Sequence, residues 1–170
     1  MYFCAILCNL WEIFFIQSQK PGIPTTDIFP KSVSLTYMLK DIPQLTVENV
    51  IVAVIREEEE GEHVWNVYII NLYDKEISGV IVSSVGYGQF DGREVKTSTL
   101  RHLIGDIASN DYGKIEPIIE DLFGLSNEFW VSFHLNGHMY DKKYIFLPET
   151  IREQYFTIVP VINKTGVMIR

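Results

Sequence analysis

Residues 129–138 read Phe129-Trp130-Val131-Ser132-Phe133-His134-Leu135-Asn136-Gly137-His138. Phe129, Val131, Phe133 and Leu135 alternate with Trp130, Ser132 and His134. That period of two is the signature of a strand with one face in a core. Asn-Gly then supplies two residues that accept positive φ, as a type I′ hairpin turn requires. The return strand runs from His138 to Leu147. This register sets Leu135 opposite His138 and Phe133 opposite Tyr140, an aromatic cross-strand pair.

Upstream of this hairpin, Val50-Ile51-Val52-Ala53-Val54-Ile55 is apolar and β-branched, and reads as a buried strand. Val64 to Tyr73 places Trp65, Val67 and Ile69 on one face and Tyr68, Ile70 and Leu72 on the other, so both faces are covered. Asp74-Lys75 reads as a turn and Ile77 to Val85 as a third strand, giving an antiparallel meander. Gly86 to Gly92 reads as a glycine-rich loop. Arg93 to Ile104 fits strand and helix equally. Lys114 to Phe123 reads as the main helix, with Ser109, Asn110 or Asp111 as cap, Pro117 in its first turn and Gly124 as its stop. Phe156 to Ile162, with Pro160, reads as an edge strand. The expected fold is α+β: one mostly antiparallel sheet of five to seven strands with one main helix packed on it.

The 170 residues fit one domain, and a hydrophobic fraction of 47% excludes disorder over the whole length. With 14 basic and 22 acidic residues the net charge is −8, which disfavours a broad cationic face for nucleic acid or anionic lipid. Residues 1–37 stand apart. They carry both cysteines, Cys4 and Cys8, and a nearly unbroken apolar run to Ile16, followed by a segment with Pro21, Gly22, Pro24 and Pro30. The run is short for a membrane span and lacks the basic start of a secretory signal. Residues 1–37 therefore read as a leader and linker outside the native domain, with an upstream start codon chosen and the functional chain beginning near Met38. Residues 38–170 then form a single domain, cysteine-free and expected in the cytoplasm.

No chemical motif stands above its plain reading. Gly86-Tyr87-Gly88-Gln89-Phe90-Asp91-Gly92 has its third glycine one residue late for a dinucleotide loop and lacks a following helix. His134 and His138 fall on opposite faces of the hairpin, so no zinc pair forms. Glu57 to Glu60 with Glu62 reads as a solvated hairpin tip that discourages edge pairing. No cofactor or metal is expected. The one reactive-looking cluster is Arg101, His102 and Asp106, with Asp91 and Arg93 as neighbours in sequence; histidine titrates near neutrality and could serve as an acid or base there. The many aromatics suit a core or a protein interface, and RNA stacking would need a cationic track beside them.

Thr97 to Leu147, and above all Ile115-Glu116-Pro117-Ile118-Ile119-Glu120-Asp121-Leu122-Phe123-Gly124-Leu125, resembles a group of small uncharacterised bacterial proteins. Members are sometimes labelled phenylalanyl-tRNA synthetase alpha chain. The resemblance covers Met38 to the end and implies an accessory association with tRNA or a synthetase. The arginine-bearing ATP motifs of a class II synthetase are absent, so no catalytic residue carries over. The residues favour a non-catalytic protein-interaction module, a homodimer included. The alternatives are a small enzyme using Arg101, His102 and Asp106, or a tRNA-associated accessory protein.

Overall fold

The structure is a computed structural model that describes residues 45–90 and 92–170. The expectation about residues 1–37 lies outside the described residues. Ten strands follow in order: β1 Val50–Glu59, β2 Glu62–Asn71, β3 Ile77–Phe90, β4 Arg93–Lys96, β5 Leu100–Ile107, β6 Asp111–Pro117, β7 Ser126–Leu135, β8 His138–Phe146, β9 Thr157–Val159 and β10 Lys164–Ile169. Single 3-10 turns occupy Glu120–Leu122 and Glu153–Tyr155.

These strands form two antiparallel sheets. The first has the order β6-β2-β1-β10-β9. The second has the order β4-β3-β7-β8, with β5 also pairing β3. The sheets face each other across one core. Val52, Val54, Val67 and Ile69 of the first meet Val82, Phe129, Val131 and Phe133 of the second. Tyr144, fully buried, donates its hydroxyl hydrogen to Val50 O at 3.0 Å and so ties the two layers. The architecture is a β-sandwich, in which alternate residues of each strand fill the space between layers.

The expected main helix at Lys114 to Phe123 is absent. Lys114 to Pro117 finish β6, pairing with Tyr68, Val67 and Asn66 of β2. Only the short turn at Glu120–Leu122 is helical there. Ile115, Ile118 and Leu122 have the spacing of a helix face, yet the same residues reach the core from a strand end and a turn. The backbone of Lys114 to Pro117 finds its partners on β2 instead of within a helix. The α+β assignment and the single sheet of five to seven strands are accordingly replaced by two all-β layers.

Other expectations differ in detail. The meander ends after β2, because β3 belongs to the opposite sheet. Gly86 and Gly88 lie within β3, which extends to Phe90 and takes up most of the stretch read as a glycine-rich loop. Arg93 to Ile104 resolves into two short strands that share β3 as partner. Between them Thr97 stands in for the ladder: its N–H donates to Gly86 O at 2.8 Å and its Oγ1 accepts from Gly86 N–H at 2.9 Å.

Both expected hairpins are present. Asn136 and Gly137 have φ of 53° and 79°, Leu135 faces His138, and Phe133 stacks on Tyr140 at 5.4 Å between ring centroids. The acidic tip turns through Glu60 and Gly61 in the same left-handed conformation. The outward face of the first sheet carries a second apolar cluster of Ile51, Ala53, Ile55, Tyr68, Ile70 and Val159, packed with Leu72 and Met168. The reading of β2 as covered on both sides is correct.

Candidate functional site

Arg101, His102 and Asp106 all lie on β5, but alternation sends them apart. Arg101 pairs with Ser83 and is exposed on the outward face of the second sheet. His102 pairs with Val82, a core residue, and so faces inward. Asp106 is exposed, and its Oδ1 accepts from Gly79 N–H at 2.8 Å. That bond fixes Gly79 at φ 60° where the β3–β5 register shifts. Asp106 is thus a bulge clamp, in keeping with the role of bulges in bending strands. Arg93 is exposed on β4, and Asp91 lies outside the described residues.

His102 finds a different acid. Its Nε2 lies 2.9 Å from Glu116 Oε2, with both side chains largely shielded. Glu116 sits on β6, so this bond joins the two sheets along one side. A register shift in the β2–β6 ladder beside Val67 lets Ile115 enter the core while the adjacent Glu116 reaches His102. The two residues are 14 apart in sequence and lie on different strands in different sheets, so no local pattern links them. Sequence reasoning gave no sign of the pair.

Beside this bond a cavity of about 210 Å³ opens between the sheets. Ser84 and Gly86 of β3, Asn127 and Phe129 of β7, Thr97, and Glu116 of β6 contribute to its wall, with Ile118 and Leu122 closing the apolar end. Asn127 is buried, and its Nδ2 donates to Leu122 O at 2.8 Å and Leu125 O at 3.1 Å. Those two bonds fix the amide, so Oδ1 faces the other way as an acceptor.

A second surface lies on the outward face of the second sheet. Leu103 pairs with Ile81, which pairs with Ser132 of β7. In the neighbouring row Arg101, Ser83, Trp130 and Lys143 lie side by side across four strands. Ile81, Leu103 and Trp130 are 47%, 78% and 44% exposed, which is unusual for three large apolar side chains on one face of a sheet. Lys143 Nζ sits 4.6 Å from the Trp130 ring centroid and 3.1 Å from Glu128 Oε1. The small Ser83 and Ser132 lie between the larger side chains of this face. The alternation of β7 pointed to Trp130 as outward, but the neighbours that make it part of a patch come from other strands.

Among the described residues no group of histidine, cysteine or carboxylate side chains is placed to hold a metal ion. Nor is any helix among them long and apolar enough to cross a membrane. Comparison of the chain with known protein families, with curated proteins and with solved structures finds no match.

Proposed function

We propose that this protein is a non-catalytic interaction module that self-associates through the outward face of its second sheet. The observation that carries this reading is the exposed trio Ile81, Leu103 and Trp130 on one sheet face. A second copy suits the face because its local charge is balanced. Arg101 and Lys143 stand against Glu128 and Asp141 around Trp130, whereas the chain as a whole carries −8. Two copies approaching on this side meet the least self-repulsion. The same balance disfavours a phosphate backbone, which is held by an excess of cations. The cytoplasm remains the expected location, in keeping with a cysteine-free body.

Four strands at their usual spacing and about six residues of each give a face of roughly 15 Å by 20 Å. That is well below the ~800 Å² per partner of a standard stable interface, so the association is weak and transient. Sedimentation equilibrium across low to high micromolar protein checks this. A concentration-dependent dimer is expected, and Leu103→Lys or Ile81→Lys should return it to monomer with the circular dichroism spectrum unchanged. A strict monomer at the highest concentration, or a dimer indifferent to both substitutions, overturns the reading.

A further inference from the structure

We propose that the cavity between the sheets is a binding site for a small organic cation: a primary ammonium carried on a compact apolar body. Ser84 and Asn127 are 6% and 4% exposed and both line the cavity. No buried side-chain nitrogen or oxygen among the described residues lacks a partner, so a polar atom of these two residues without one is open to the cavity. Here no described protein group bonds to Ser84 Oγ or to Asn127 Oδ1, while the Asn127 amide is held from behind by two carbonyls. Glu116 engages His102 through Oε2, and Oε1 has no described partner. Two acceptors and one hydroxyl without a described partner thus belong to residues that line one small space.

The remaining polar groups are already committed. Thr97 Oγ1 accepts from Gly86 N–H and donates to Ser98 O. Among the described residues no lysine or arginine lines the cavity, and Glu116 is the one acidic residue in its wall. A site rich in acceptors and poor in donors selects a ligand that brings donors. An ammonium brings three, together with the charge that Glu116 favours. Phe129, Ile118 and Leu122 form the apolar end, suited to a ring or a short branched chain. Gly86 keeps the space open, since a Cβ there would stand 3.1 Å from Thr97 Cγ2 and 3.5 Å from Asn127 Oδ1. A volume of 210 Å³ holds about ten heavy atoms, the size of phenethylamine.

The test is a titration of the full chain with phenethylammonium chloride, followed by amide chemical shifts in heteronuclear NMR. Phenylacetate, of similar size and opposite charge, is run in parallel. The amine should saturate in the millimolar range or below and move Gly86, Thr97, Ser98 and Asn127 amides, while phenylacetate leaves them in place. Ser84→Ala removes a hydroxyl with no described protein partner, and should weaken binding about 5-fold with the fold intact. Glu116→Gln keeps the size of the side chain and an acceptor for His102, and should weaken binding by about 10-fold or more. Equal binding of phenylacetate, shifts confined to the acidic Glu57–Glu62 tip, indifference to both substitutions, or no saturable binding each overturns the assignment.

Discussion

Glu57 shows how much one well-placed side chain can change the acid response of a domain. It sits near the tip of β1 on the outward face of the first sheet, with its side chain 11% exposed. Burial alone would push its carboxyl up. The hydrogen bonds from Lys164, Asn66 and Tyr68 outweigh that and hold it at about 2, against an ordinary 4.5. Asn66 Nδ2 and the Tyr68 hydroxyl donate to Oε2 at 2.6 and 2.7 Å, and Lys164 pairs with Oε1. Burial and the adjacent carboxylate in turn raise the Tyr68 phenol. The folded state releases this proton more readily than the unfolded chain, so the unfolded chain binds more protons between pH 2 and 4.5. Stability from Glu57 is thus complete above about pH 4.5 and is lost as pH falls toward 2, by an amount on the order of 2 kcal/mol. Urea unfolding midpoints between pH 2.5 and 6 check this. The midpoint of the unmodified chain should fall more steeply with acid than that of Glu57→Gln, and parallel curves would sink the argument.

At the scale of strands and turns, glycine positions separate tolerable from intolerable change. Gly137 is left-handed at φ 79°, as is its neighbour Asn136, and a Cβ at Gly137 would meet nothing within 4 Å. Gly137→Ala should therefore cost about 1 kcal/mol of backbone strain and no more. Gly166 of β10 is different. Its Cβ would stand 2.4 Å from Val54 O, the backbone of the strand it pairs beside. Gly166→Ala forces β1 and β10 apart and should lower the thermal midpoint far more than Gly137→Ala. Differential scanning calorimetry of the two variants gives the comparison, and similar midpoints would contradict it.

The same scale explains what the sequence made legible. The β7–β8 register was readable because Asn136-Gly137 fixes the turn and the turn fixes every pair after it. The two-faced burial of β2 was readable from its unbroken apolar run. The helix at Lys114 to Phe123 was misread because Ile115, Ile118 and Leu122 satisfy a helical stripe, while the ladder with β2 that decides the matter is written in β2. The connection through Asp74-Lys75 is short enough for a hairpin, and nothing in it records that β3 crosses to the other layer. For the cavity, Ser84 and Asn127 look like ordinary polar residues of alternating strands until β3, β6 and β7 are brought together.

For the whole molecule, the balance between surface charge and sheet topology sets its solution behaviour. A net charge of −8 repels a second copy at every orientation, and the repulsion is screened by salt. The proposed self-association rests on apolar contact over a locally balanced face. Raising sodium chloride from about 20 to 200 mM, where the screening length shortens to several ångströms, should strengthen the dimer by a few-fold. An interface built on ion pairs would weaken instead. Sedimentation equilibrium at both salt concentrations distinguishes them.

The interruption of the β3 edge at residues 97–99 has an evolutionary meaning. Both ladders stop there, and one threonine bridges the gap to Gly86. Extra residues spliced between Ser98 and Leu100 would leave the Thr97–Gly86 bonds in place and lengthen a stretch that pairs with no strand, at the rim of the interior space. Descendants of this chain could acquire new recognition loops at that seam while both layers stay as they are, and the same seam is the natural place to graft a randomised loop library.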